Sequence, residues 1–444
     1  MKKVISVIMA SAILCGTFSG CTTATSLPSG SSSGSNATAS TAGSKAASSG
    51  NTIKIGVLTD RSSAAAATVK WAEAGAELAQ KEINDAGGIK GKKIELVYRD
   101  TASDSANVAQ KSTELKSEGV IAILGPKSDG EAPAGAQWAE TNKFPMVTPC
   151  TMSTRVTIEN ASRYMFSCGF SAWAIARMNA KAAQKIGAKS AFFIGNDGGA
   201  SGDSRDFFYK DCEKFDSGFK NLGSNQVSNS STEFSNIISS VVNKKPSMLI
   251  GAVAGPNFVS LVNQGNQFGL FKTCDYYGWY TTDTSNTLSL SQSNAYPYGH
   301  VHGVIVWPFW KDDINGNEKL VKDYMSMREG IMPSDMGYTW YIGIKAIAEA
   351  AKSTSDYSAE GMTAALTKVK FSTIYGSDIG FRDFDHVMTH TYYYVTANKD
   401  TSGKWTVPIG TDITVYKGAD VLPTKAEMES YAKEHNYKFT DLSK

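Results

Sequence analysis

Past residue 21 the 444-residue chain has no apolar run long enough to cross a bilayer, which excludes a helical membrane span in its body. It has only five histidines, and neither His300 with His302 nor His386 with His390 comes with a cysteine or carboxylate cluster at ligand spacing, so no metal site is expected. The six cysteines form no CxxC pair. Neither sign of charge is in surplus: 44 basic residues stand against 42 acidic, and setting aside Lys2 and Lys3 leaves 42 of each. Without a basic stripe there is no electrostatic footprint for nucleic acid. The glycine-rich stretch Gly195-Asn196-Asp197-Gly198-Gly199 is not followed by Lys-Ser/Thr, so it is not a nucleotide phosphate loop. Cys150 with a distant histidine would be the only nucleophile pair to consider, and no reaction geometry can be built around it. No catalytic residue and no cofactor are expected, and the chain reads as a non-enzyme.

What is present points to export and a folded body. Lys2 and Lys3 precede a mostly apolar stretch over residues 4–18, which reads as a secretory leader. Phe18-Ser19-Gly20-Cys21 then resembles the lipobox of bacterial lipoproteins, which implies cleavage before Cys21 and lipidation of its thiol, with residues 1–21 as leader and anchor. Residues 22–51 are nearly all Ser, Gly, Thr and Ala, with one proline (Pro28) and one lysine (Lys45), and read as a flexible tether. Export permits disulfides, and Cys150, Cys168, Cys212 and Cys274 allow three pairings, but most are expected to be buried free thiols. With 41% hydrophobic and 19% charged residues the chain can build real cores.

The body alternates strand and helix patterns. Residues 53–58 form an alternating-to-apolar strand, 69–83 recur at helical spacing up to Gly87-Gly88, 94–98 and 120–124 read as strands, 109–118 and 132–142 as helices, and 145–148 as a short strand. The rhythm restarts near residue 173, with helices over 174–186, 206–215, 233–242 and 258–268 and strands over 190–194 and 248–253. A strand over 304–307 precedes helices over 320–329 and 338–351, and the segments 391–397 and 405–413 are β-rich. This is an α/β chain of two tandem units with parallel sheets.

Several segments carry a more specific signal. Ile53-Lys54-Ile55-Gly56-Val57-Leu58, Ala74-Gly75-Ala76-Glu77-Leu78-Ala79 and Glu82-Ile83-Asn84-Asp85-Ala86-Gly87-Gly88-Ile89-Lys90-Gly91-Lys92-Lys93-Ile94-Glu95-Leu96 are followed, in order, by Ile123-Leu124-Gly125-Pro126, Pro145-Met146-Val147-Thr148-Pro149 and Arg163-Tyr164-Met165-Phe166. Ser372-Thr373-Ile374-Tyr375-Gly376 and Phe381-Arg382-Asp383-Phe384-Asp385 come later. Over roughly residues 53–415 this series resembles the leucine-binding branch of the periplasmic binding proteins, which serve ABC importers for branched-chain amino acids, amides, urea and aromatic acids.

The resemblance implies the type I periplasmic binding protein fold: two Rossmann-like lobes joined by three crossover strands, with the ligand in the cleft. Carried over, lobe 1 is 53–168 plus 307–375, lobe 2 is 169–306 plus 376–435, and the crossings fall near Cys168, Trp307 and Gly376. The implied ligand shell is Ser128 and Asp129 in the first turn, Cys150, Thr151 and Met152 in the second, and Trp173, Ser201 and Tyr280. Trp173 reads equally as a core residue at a helix start. Arg61 reads either as a partner for a ligand carboxylate or as an exposed arginine. Three positions that carry aromatics in the family are small here, namely Thr68, Ser201 and Gly255, and Asp129 stands where a small hydroxyl residue is usual. A carboxylate there repels a ligand carboxylate, so Asp129 either points away or meets an amine. The implied partners are a small-molecule solute, a membrane ABC permease and the membrane through the lipid anchor. The chain would be a monomer on the outer face of the bacterial cell membrane or facing the periplasm. A ligand-sensing module for a membrane receptor is the alternative.

Overall fold

In the computed structural model, β1 (Thr52–Thr59) is buried without a break from Ile55 onward, as a strand covered on both faces should be. The structure describes residues 52–63, 66–150, 153–279 and 281–444; the leader, Cys21, the tether, Thr151, Met152 and Tyr280 lie outside the described residues. β1 is flanked by β2 (Lys93–Asp100), half-exposed at the sheet edge, and by β3 (Ile123–Leu124), β4 (Met146–Thr148) and β5 (Met165–Ser167), giving a parallel sheet in the order β2-β1-β3-β4-β5. The crossover helices are α1 (Ala66–Asp85), α2 (Ser105–Ser117) and α3 (Ala132–Asn142).

After α4 (Ala172–Ile186) a second parallel series begins: β6 (Ser190–Asn196), α5 (Gly199–Phe215), β7 (Lys220–Val227), α6 (Ser235–Lys244), β8 (Met248–Ala252), α7 (Pro256–Phe268), β9 (Tyr276–Trp279), α8 (Thr284–Gln292) and β10 (Val301–Ile305). The helices α9 (Asn317–Ser326), α10 (Asp335–Ser353) and α11 (Ala359–Lys368) follow, then the hairpin β11 (Phe371–Thr373) and β12 (Gly376–Ile379). Two antiparallel strands, β13 (Thr391–Asn398) and β14 (Ile409–Lys417), complete the second sheet in the order β14-β13-β10-β9-β8-β6-β7, and α12 (Gly418–Val421) and α13 (Lys425–Glu434) end the chain's regular structure.

Some elements depart from the sequence pattern for physical reasons. β7 has no apolar periodicity because it is a largely exposed edge strand, held by its ladder to β6. α5 starts at Gly199, well before the periodicity that begins near Asp206, because its first turn is built of Gly, Ala and Ser. α13 is announced only by its ends: Thr424 and Glu427 cap each other's backbone N–H groups as a capping box. The last strand begins at Ile409, and Trp405 before it is a buried residue stacked edge-on to Phe309.

The chain passes between the two sheets three times. After β5, Cys168 N–H donates to Thr148 O at 2.9 Å before α4 starts. After β10, the N–H groups of Val306 and Trp307 donate to Asp335 Oδ1 at 3.1 and 2.6 Å, and the chain returns to cover the first sheet with α10. After β12, residues 380–390 lead back to β13, lying beside the first crossing: Ser167 N–H donates to His386 O at 2.9 Å and Met388 N–H to Ser167 O at 2.8 Å. One continuous apolar cluster runs through this junction, joining Ile55 and Phe166 to Ile175, Val306 and Tyr392. α10 is seated deeply against α1, because the two helices touch backbone to backbone at Gly75 and Gly337. Cys150, Cys168, Cys212 and Cys274 are all buried and unpaired.

Candidate functional site

Between the two sheets lies a cavity of about 330 Å³, within the range that small-ligand sites occupy. Its walls are mainly the segments that leave the carboxyl ends of parallel strands. From the first sheet come Asp60 after β1, Ser103 after β2, Lys127 to Gly130 after β3 and Cys150 after β4. From the second come Asn196 to Gly198 at the end of β6, Ala254 to Asn257 after β8, and Trp279 at the end of β9. α10 adds Met336, Thr339 and Trp340. In a parallel α/β sheet the strand ends are where loops can carry polar groups without breaking the ladder, and here two such edges face each other.

The polar groups of the cavity are set by burial. Asp60 is fully buried; its Oδ2 accepts from Lys127 Nζ at 2.9 Å and from Ser103 Oγ at 2.7 Å. Asp129 reaches from the first half to the second, where the Ala200 N–H in the first turn of α5 donates to its Oδ2 at 2.9 Å. Burial raises the Asp129 carboxyl above its ordinary range, and hydrogen bonds only partly offset this. Ser128 is not a free hydroxyl, since its Oγ donates to Glu131 Oε2 at 2.6 Å, and burial raises the Glu131 carboxyl as well. The Cys150 thiol accepts from Thr148 Oγ1 at 3.1 Å, and burial, reinforced by Asp129, pushes its pKa far up. Such a thiol is an apolar wall atom, not a nucleophile.

Of the residues singled out in the sequence, Ser128, Asp129, Cys150 and Ser201 come together on this cavity, with Thr68 and Gly255 beside them. Ser201, in the first turn of α5, is buried with its hydroxyl tucked over Gly195. Trp173 is not among the described lining residues: it stacks on Phe207 at 3.8 Å and meets Tyr431 edge-on in the core of the second half. Arg61 turns away from the cavity, pairing with Glu73 at 2.6 Å and lying over the Tyr98 ring. His300 and His302 share one carboxylate, Asp275, at 2.8 and 3.2 Å. Sequence reasoning missed Asp60, Lys127, Asn196 and Trp340. Asp60 could have been found by asking which polar residue directly follows β1, Lys127 by reading on through the turn after β3, and Asn196 as the polar residue that ends β6. Trp340 had no such signal, because it reaches the cavity from a helix interior.

Two α/β halves with facing strand ends, a cavity between them and three crossings beneath define a two-lobed binding protein. The chain belongs to the periplasmic binding protein family, whose sequence pattern matches residues 52–403. It is 29% identical over 117 residues to the Leu/Ile/Val-binding protein homolog 3 of Brucella melitensis biotype 1, a match that spans 26% of this chain and only 32% of that protein. Among solved structures it resembles the solute binding protein of an ABC transporter from Rhodopseudomonas palustris BisB5 in complex with 3,4-dihydroxybenzoic acid, with a TM-score of 0.72 at 20% identity, covering 83% of this chain and 98% of that one. It also resembles the branched-chain amino acid transporter substrate binding protein of Streptococcus pneumoniae in complex with isoleucine, with a TM-score of 0.67 at 22% identity, covering 82% and 99%. At these identities the likeness to the solved structures is one of fold.

Proposed function

We propose that the chain is the extracytoplasmic solute-binding protein of an ABC importer, which takes up an amino acid or a related small organic solute, aromatic or amide, and presents it to a membrane permease. The observation that carries this reading is the cavity bounded by strand ends of both halves, which carry polar side chains into it. Lobe 1 is then 53–168 with 307–375 and lobe 2 is 169–306 with 376–435, and Ser128, Asp129, Cys150 and Ser201 belong to the solute shell together with Thr151, Met152 and Tyr280. The leader and Cys21 fit an exported monomer, lipid-anchored on the outer face of the membrane, with residues 22–51 as the tether that lets the lobes reach the permease. Small side chains at Thr68, Ser201 and Gly255 leave room for a solute larger than leucine. Isothermal titration with leucine, isoleucine and valine beside phenylalanine, aromatic acids and short amides tests this. At least one solute of the larger set should bind. Tight binding of the three aliphatic amino acids with no response to the others would reject the roomy cleft, and silence across the whole set would count against the cavity as a solute site.

A further inference from the structure

The charges on the cavity wall are unbalanced. Among its described lining residues, Asp60, Asp129 and Asp197 are carboxylates and Lys127 is a cation. Lys127 is already committed, with its ammonium 2.9 Å from Asp60 and both side chains buried. Neither Asp129 nor Asp197 makes an ion pair among the described residues; Arg155, whose stem packs by Gly199, is the cation that Asp129 senses. The unused hydrogen-bonding capacity has the same sense. Asp60 Oδ1 and Asp129 Oδ1 are buried acceptors that no well-formed hydrogen bond fills, although the other oxygen of each carboxylate is engaged and the Ser153 hydroxyl and Gly199 N–H lie near enough to Asp129 to favour its charged form. Buried acceptors left empty cost stability, so such groups mark places where something else donates. On the second half, Asn196 Nδ2 and Ser201 Oγ are also buried without a partner, while Asn196 Oδ1 is taken by the Ala254 N–H at 2.9 Å. Trp279 and Trp340 line the same space, and indole rings are the best aromatic partners for a cation.

Resting on the reading of this cavity as a solute site, we propose that the solute carries a cationic nitrogen (an amine, amidine or guanidine) whose N–H groups donate to Asp129, and that acids lacking such a group are rejected. A carbonyl or hydroxyl oxygen of the solute then meets the unfilled Asn196 Nδ2. A lone carboxylate in this place would face Asp129 and Asp197 with Lys127 already neutralised by Asp60. A cation instead meets a wall whose lining carboxylates outnumber its one lining cation. Because Asp129 is itself held by the first turn of α5, a donor bound there also ties the first half to the second.

The test keeps the solute body constant and changes only the head group. Benzamidinium, benzylammonium, benzamide and benzoate are titrated into the full chain, with L-arginine and agmatine as guanidinium probes, in wild type and in Asp129→Asn. The asparagine can still accept from the Ala200 N–H, so the lobe contact is kept and the ligand-free melting temperature should hold. The expected result is that the cations bind, benzoate does not, and Asp129→Asn weakens the cations by about tenfold or more, since hydrogen bonds to charged groups are among the stronger ones. Benzoate binding as tightly as benzamidinium, or cation binding unchanged in Asp129→Asn, overturns the proposal. Binding of uncharged or acidic solutes from the wider titration set, with every cation silent, overturns it while leaving the importer reading in place. If nothing in either set binds, the reading of the cavity itself falls.

Discussion

His390 shows how a single buried ring ties the protein to pH. It is fully enclosed at the junction of the first and third crossings, where its Nε2–H donates to Cys168 O at 2.8 Å between the edges of Tyr375 and Tyr392. Burial lowers its pKa from 6.5 to about 4. His386, stacked on Phe166 at 4.3 Å, is lowered to about 4 for the same reason. A ring whose folded pKa lies below its unfolded value binds fewer protons when folded, so its contribution is complete above pH 6.5 and is lost as the pH falls from 6.5 toward 4. For His390 alone the loss between pH 8 and pH 5 is about 2 kcal/mol. His390→Gln keeps a donor for Cys168 O and removes the titration. Urea denaturation at the two pH values should show the variant losing about 2 kcal/mol less than wild type on acidification. Equal losses in the two proteins would mean that His390 is not neutral and buried in solution.

At the scale of elements, the seating of α10 shapes the cavity, because Met336, Thr339 and Trp340 lie on it. That seating depends on two glycines. A Cβ on Gly75 in α1 would sit 1.8 Å from Gly337 O in α10, and backbone cannot move aside as a flexible side chain can. Gly75→Ala should therefore cost about 2 kcal/mol or more by forcing the helices apart, and should weaken solute binding as Trp340 shifts. Gly202, in α5, is the control: a Cβ there meets nothing within 4 Å, so Gly202→Ala should gain up to about 1 kcal/mol from helix propensity alone. Chemical denaturation of both variants checks the pair. Two gains would show that the α1–α10 contact is looser than the structure has it.

At the scale of the whole molecule, the two halves meet on both sides of the cavity. On one side Asp129 accepts from Ala200 and Asp203 Oδ2 accepts from the Thr154 N–H at 2.6 Å; on the other, Ser334 Oγ donates to Asp283 Oδ2 at 2.8 Å. Burial at the first contact pushes the Asp203 carboxyl up to about 7. These contacts are polar, whereas the crossings share the apolar cluster, so the lobes should part at the cavity and bend at residues 167–168, 306–307 and 380–390. Small-angle scattering should give a smaller radius of gyration with saturating solute than without it. An unchanged radius would show that the lobes do not move as a clamp.

Much of the fold was legible in the sequence because it follows local rules. The apolar run of β1, the helical spacing of α1 ended by Gly87-Gly88, and the alternation of strands and helices determine a parallel α/β chain with two tandem units. Where local signal is weak, at the polar edge strand β7 and the short-residue first turn of α5, only tertiary pairing decides the element. The site divides in the same way. Ser128, Asp129, Cys150 and Ser201 were expected at the site only through the family resemblance, and they line the cavity. That Ser128 Oγ is committed to Glu131, that Trp173 stacks in the core, that Lys127 is neutralised by Asp60, and that Trp340 joins the wall from within a helix all depend on partners far away in the chain. Composition and periodicity determine which residues must be buried and which loops face the cleft. Which polar atoms are left without a partner there is decided only when distant segments are packed together, because a hydrogen bond is satisfied or orphaned by geometry and not by sequence order.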